Sequence, residues 1–216
     1  MRFRSFIIAY ALVLAILLFA DRRPHPATGN RYSHIVDLTN AKNPQGSPAS
    51  RTEIVAPGAL IPGTWAAGEI PPERLIAPLV VIDLNVAPAS QLSLDDIAAW
   101  EGEHGTIPQG SVVAIRHPAS NAHLPNPEPS NDFPISPEAA RFLMDARYAT
   151  GFAIEDQPHF ATDRTLARQI ALHGNYVIEN VAHLTALPST GSLIVVAPTK
   201  GKGSSQDHVR VLAMVR

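Results

Sequence analysis

Leu79-Val80-Val81-Ile82-Asp83-Leu84 holds five apolar side chains in six residues, with no polar alternation. A short run of that kind is buried on both faces, as strands are in a parallel sheet with helices packed on it. On its N-terminal side, residues 57–72 are dense in proline and glycine and include Trp65. That composition is incompatible with one regular element and predicts a long ordered loop. On its C-terminal side, Ser93 followed by Asp96 is a capping signal that opens a helix through Trp100. Residues 111–116, Ser-Val-Val-Ala-Ile-Arg, then form a second β-rich run after a Pro-Gln-Gly turn.

Alternation of strand and helix continues beyond this unit. Residues 117–134 are rich in proline and read as a surface loop. Ser136-Pro137 sets a capping serine before a proline at the first helical position and starts a helix to about Arg147. Residues 151–155 read as a strand, and a further helix opens at Thr162 or Asp163 and ends at His173-Gly174. Strands follow at 176–179, 193–197 and 208–214, and two shorter ones precede the decisive run, at 34–38 and 52–55. Residues 41–50 between those two read as a loop. More strands than helices, interleaved, argue a mixed α/β domain.

Hydrophobic residues make up 45% of the 216 and charged residues only 17%, which excludes general disorder. With a formal net charge of -2 and 17 scattered Lys and Arg, the chain lacks the basic footprint of a nucleic-acid binder. There is no cysteine, so any metal would rest on His, Asp or Glu.

The N-terminus sets Arg2 and Arg4 before an apolar run over 6–20, then Asp21, Arg22 and Arg23. The order is basic, apolar, polar, and predicts export, with residues 1–20 as a signal peptide or an uncleaved membrane anchor. Leu18-Phe19-Ala20 places a large residue where cleavage prefers a small one. Residues 21–31 read as a linker and 32–216 as one domain. The expected location is periplasmic or otherwise extracytoplasmic, with membrane contact through the N-terminal segment.

Several segments then acquire a common meaning. Ile35-Val36-Asp37-Leu38-Thr39, Ile70-Pro71-Pro72-Glu73-Arg74-Leu75-Ile76, Tyr176-Val177-Ile178-Glu179-Asn180-Val181, Leu187-Pro188, Ala197-Pro198-Thr199-Lys200-Gly201-Lys202-Gly203 and Val209-Arg210-Val211 together resemble the cyclase family. These metal-dependent hydrolases include bacterial kynurenine formamidase, an arylformamidase. The resemblance implies a cyclase-type α/β domain, a mixed and partly closed sheet flanked by a few helices. It also implies amide hydrolysis at a metal held by a motif written H-x-G-T-H-x-D-x-P-x-H.

The matching stretch here is Ala49-Ser50-Arg51-Thr52-Glu53-Ile54-Val55-Ala56-Pro57-Gly58-Ala59, with Thr52 and Pro57 fixing the register. By the resemblance, ligands would stand at Ala49, Glu53 and Val55, and the proton-transfer histidine at Ala59. A later ligand pair would fall at Ala167 and Glu179. Only Glu179 is kept in kind, and Glu53 is an oxygen donor in place of an imidazole. Ala and Val coordinate nothing, whereas a catalytic divalent ion needs about three protein ligands. Carboxylates left behind in such a cavity should show raised pKa values or recruit a cation, for which Arg51 is the nearby candidate.

Two functions of different class follow. In one, the chain is an exported family member that has lost the hydrolase site and works as a binding or scaffold protein, without a metal cofactor. Its partner would be a small molecule or an envelope protein. In the other, a rebuilt site of Glu53, Glu179 and His159 holds zinc or manganese and hydrolyses an amide such as N-formylkynurenine. Glu179 also has a plain structural reading, as a carboxylate bonded within the fold, and His159 one as an ordinary loop residue. His34, Asp37 and Thr39 fit a pocket lining or simple strand alternation. Trp65 sits in the loop expected to border the site, and Trp100 reads as core. The Gly-Lys-Gly-Ser-Ser loop at 201–205 lacks Walker spacing, and no Gly-x-Ser-x-Gly elbow occurs. By resemblance, a homodimer is expected.

Overall fold

The structure is a computed structural model, and it describes residues 32–40, 51–84, 91–116, 133–155, 164–201 and 206–216. Contacts divide the chain into two units, Met1–Arg31 and Tyr32–Arg216. The signal or anchor segment, the loop over 41–50 with Ala49, His159, and the serines at 204 and 205 lie outside the described residues. Among the described residues, no helix is long and apolar enough to cross a membrane.

Eight strands form one sheet: β1 (His34–Asp37), β2 (Glu53–Val55), β3 (Ile76–Asp83), β4 (Val112–Arg116), β5 (Gly151–Ile154), β6 (Tyr176–Glu179), β7 (Ser192–Pro198) and β8 (Gln206–Val215). Their order is β1-β8-β2-β6-β5-β4-β3-β7, and β7 also pairs with β8. That last pairing joins β7, at one end of the order, to β8, the second strand from the other, so seven strands close into a ring and β1 lies outside it against β8. The expected mixed sheet is thus present and its closure is complete. β3, β4, β5 and β6 are mutually parallel, while the remaining pairs are antiparallel.

Each parallel step contains a helix: α1 (Leu94–His104), α2 (Pro137–Ala146) and α3 (Arg164–Leu172). Parallel neighbours need such crossovers, because a tight turn cannot reverse the chain direction twice. The starts of α1 and α2 follow the local signals. Ser93 Oγ accepts from the Asp96 amide at 3.2 Å while Asp96 Oδ2 accepts from the Ser93 amide at 2.9 Å. Ser136 Oγ accepts from the Ala139 amide, and Pro137 occupies the first turn. α1 runs past Trp100 to His104, where Gly105 takes φ 84. α3 ends as expected at Gly174, which takes φ 72, a conformation that costs other residues more. Its predicted opening at Thr162 or Asp163 lies outside the described residues.

Two apolar layers explain the decisive run. Leu79 and Val81 face the ring interior with Val112, Ala114, Ala153, Ile178, Ile194, Val196 and Val211. Val80 and Ile82 face outward, into a layer shared with Val113, Ile115, Phe152, Ile154 and Val177 and closed by Ile97, Leu143 and Ile170 from the three helices. Trp100 is core, and its Nε1 donates to Val81 O at 2.9 Å beyond the point where β3 stops pairing with β7. Residues 57–72 form an ordered loop, as expected, with short 3-10 turns at Pro57–Ala59 and Ala67–Glu69.

Candidate functional site

Thr52, Glu53 and Glu179 of the family pattern gather where β6 ends and β2 begins. Thr52 pins that junction. Its hydroxyl donates to Asn180 O at 2.7 Å and accepts from the Asn40 amide at 2.7 Å, and the residue is 1% exposed. Asn180 takes φ 54, and its Nδ2 donates to Arg51 O at 3.1 Å. Asparagine tolerates this left-handed conformation better than most residues. The turn ends β6 directly after Glu179 and locks the pairing Glu53↔Glu179.

Glu53 is also the partner of His208 on β8. Side chains of directly opposed residues share a face, so Glu179, Glu53 and His208 stand abreast on three neighbouring strands. Glu179 is 1% exposed, and the Glu53 and His208 side chains are 14% and 51% exposed. His208 Nδ1 lies 3.5 Å from Glu53 Oε1. The neighbour that the register brings beside Glu53 is therefore an imidazole from the last strand. Sequence reasoning missed His208. Its one signal is alternation with Arg210 along β8, which says nothing about the strand opposite.

Burial, and secondarily the charge of Glu53, pushes the Glu179 carboxyl from its usual 4.5 to about 8. Glu179 Oε1 is buried with no hydrogen-bond partner. With the carboxyl pushed to about 8, the group holds its proton at neutral pH, as burial beside a second carboxyl dictates.

The other motif positions are apolar or apart. Val55 lies opposite Val177 on β6 and is 7% exposed. Ala167, on the first turns of α3, is 3% exposed. Ala59 is exposed, at the end of a 3-10 turn. Among the described residues no three His, Asp or Glu groups converge so as to hold a metal ion. An orphaned buried carboxyl oxygen does suit a cation, but one buried carboxyl, its neighbour and an exposed imidazole do not make the three-ligand set of a catalytic divalent ion. The described residues do not fit that group.

The remaining candidates make contacts within the fold. Arg210 pairs with Asp37 at 2.9 Å, and Thr39 Oγ1 bonds both Val211 N and Val211 O. Trp65 does not border Glu179. It packs on Gly174 and over the Arg74 guanidinium, 5.4 Å from the ring centroid. Arg74 in turn donates to Gly174 O and Asn175 Oδ1, just ahead of β6, so the indole lies at the end of the strand away from Glu179. At the rim where the parallel strands end, the Arg116 guanidinium is paired with Asp83 and donates to Leu184 O and Leu187 O at 3.0 Å. It anchors the segment that follows β6.

Comparison with known proteins agrees with this architecture. Isatin hydrolase from Roseibium aggregatum is 28% identical over 165 residues, which cover 66% of this chain and 61% of that protein. The chain thus spans less than two thirds of the length of this curated relative. Isatin hydrolase A from Labrenzia aggregata, solved bound to benzyl benzoate, superposes with a TM-score of 0.67 at 26% identity, covering 84% of this chain and 93% of that one. Isatin hydrolase A from Ralstonia solanacearum gives 0.63 at 27% identity, covering 85% and 81%. The family model described as "Putative cyclase" matches residues 20–160, and the chain belongs to the cyclase family of hydrolases.

Proposed function

We propose that this chain is a non-hydrolytic member of the cyclase family, retaining the scaffold and acting at the cell envelope as a binding or scaffold protein. The observation that carries the reading is the packing of Val55 and Ala167. Both are buried apolar side chains where the family resemblance calls for metal ligands. Neither position can be restored to coordination by a rotamer change. The basic-apolar-polar N-terminus supports placement outside the cytoplasm.

One observation favours a second reading, a metal-dependent amide hydrolase with zinc or manganese bound at Glu53, Glu179 and His159. The unpartnered Glu179 Oε1 is the kind of buried acceptor that a cation satisfies. Isatin, a cyclic amide, and N-formylkynurenine are the substrates to offer. Elemental analysis of the purified full-length protein, with turnover of both compounds assayed before and after adding zinc or manganese, decides between the readings. Absence of metal and turnover in a sample with a cooperative melt is expected. Stoichiometric metal with metal-dependent turnover would overturn the non-hydrolytic reading.

A further inference from the structure

Arg116, Arg147 and Arg210 each meet a carboxylate, that of Asp83, Glu101 and Asp37 respectively. Arg74 does not. Its side chain is half-buried, and among the described residues no carboxylate acts on it. The acceptors around it are neutral, and all three bond one nitrogen. Nη2 donates to Thr150 O at 3.3 Å, to Gly174 O at 3.0 Å and to Asn175 Oδ1 at 2.9 Å. Burial accordingly pushes the guanidinium pKa below its ordinary value.

Two buried donors in this pair lack an acceptor, Arg74 Nε and Asn175 Nδ2, and Asn175 is only 4% exposed. Buried donors of that kind are rare and mark a place where an acceptor is wanted. Over the guanidinium lies Trp65, its ring centroid 5.4 Å from Arg74 Cζ and the residue 36% exposed. The backbone beneath the indole is fixed, since Trp65 O accepts from the Gly58 amide at 2.8 Å.

We infer that Arg74, Asn175 and Trp65 form a binding site for the carboxylate of a small aromatic monoanion, at the end of the ring away from Glu179. Charge sets the sign and the count. One guanidinium without a counter-ion balances one negative charge, and among the described residues no second cation acts on Arg74 to hold a dianion such as phosphate. Shape sets the class. A planar guanidinium matches a planar carboxylate, and the two orphaned donors supply Arg74 Nε–H and an Asn175 Nδ2–H to its oxygens. Trp65 supplies the aromatic preference, because an indole that stacks on a guanidinium stacks equally on a flat ring held beside it. Both orphaned donors are buried, so the indole turns on its fixed backbone to admit the ligand. Asn175 precedes β6 and Glu179 ends it, and four residues at ~3.3 Å each separate the two by about 13 Å. The site is therefore distinct from the one at Glu179 and stands whether or not the chain hydrolyses an amide.

Benzoate is the probe, titrated by ligand-detected NMR against the full-length protein in non-ionic detergent. Saturable binding is expected at about 0.1–1 mM, with benzamide, its neutral isostere, and inorganic phosphate weaker by about tenfold or more. Two variants separate the parts of the site. Trp65→Leu removes the ring at a partly exposed position and should weaken benzoate by about tenfold. Asn175→Asp keeps the shape, replaces the orphaned donor by an acceptor and gives Arg74 a carboxylate within the chain, so benzoate binding should be lost. Arg74 itself stays, because removing it would strand the Thr150 and Gly174 carbonyls. Both variants are expected to melt cooperatively. If Asn175→Asp does not, Trp65→Leu decides, and unchanged benzoate affinity in it overturns the inference. No saturable benzoate binding up to about 10 mM, equal affinity for benzamide, or binding retained in a folded Asn175→Asp would each overturn it as well.

Discussion

Replacing Glu179 by glutamine tests the electrostatics of the site directly. The substitution preserves shape and removes the ability to ionise. In the unfolded chain Glu179 loses its proton above about 4.5, whereas in the fold burial and Glu53 hold it to about 8. The unfolded state therefore binds fewer protons across that window, and native stability must fall as pH rises through it. At ~1.4 kcal/mol per pH unit, the cost reaches roughly 3 kcal/mol at pH 7 and approaches roughly 5 kcal/mol above pH 8. Glutamine does not incur it. Glu179→Gln should match the parent near pH 4.5 and exceed it by roughly 3 kcal/mol at pH 7, or about 6–12 °C in melting temperature for a domain of this size. Urea unfolding followed by tryptophan fluorescence at half-unit steps from pH 4.5 to 8.5 measures this difference. Parallel curves for the two proteins would refute the raised pKa. A variant less stable than the parent at pH 7 would likewise refute the raised pKa, since an ionised Glu179 must then be held by donors or a positive charge beside it.

Two further outcomes test the frame around the site. A Cβ on Gly151 would stand 2.7 Å from the Tyr176 ring and 2.8 Å from Tyr176 O, and that ring is held by its hydroxyl donating to Arg74 O at 2.7 Å. Gly151→Ala should therefore cost about 2–3 kcal/mol by overpacking, and an unchanged melt would show that the ring is free to move. Thr52→Val keeps the shape but leaves the Asn40 amide and the Asn180 carbonyl without their bonds to Oγ1. It should cost roughly 2 kcal/mol or more and speed hydrogen exchange at the Asn40 amide, and native protection there would sink the pinning role of Thr52.

Local chemistry made much of the fold legible. Ser93 with Asp96 and Ser136 with Pro137 place helix starts, because capping satisfies amides within four residues of sequence. The run at 79–84 announces a strand buried twice, and the ring interior and helix layer supply its two covers. Ring closure was less legible, since the β7–β8 pairing that closes it depends on accumulated twist and register across seven strands. At the site, the motif register gave Glu53 and Glu179, and their desolvation could be expected from lost ligands. His208 could not, because its place beside Glu53 is set by the pairing of β8 with β2, strands far apart in sequence. Trp65 was misplaced for the same reason. Its loop follows the motif in sequence, but β2 runs antiparallel to β6 and carries the chain away from Glu179 before the loop begins.

By itself, then, the sequence determined the alternation of strands and helices, the family pattern and the absence of coordinating side chains at Val55, Ala59 and Ala167. These depend on residue identity and on spacing over a few turns, where side-chain period and capping geometry act. Tertiary structure alone decided that Glu179 is a buried acid rather than a surface carboxylate, that the His208 imidazole stands beside Glu53, and that the ring closes through β7 and β8. Each of those is a property of neighbours far apart in sequence, and desolvation and register exist only once the sheet has closed.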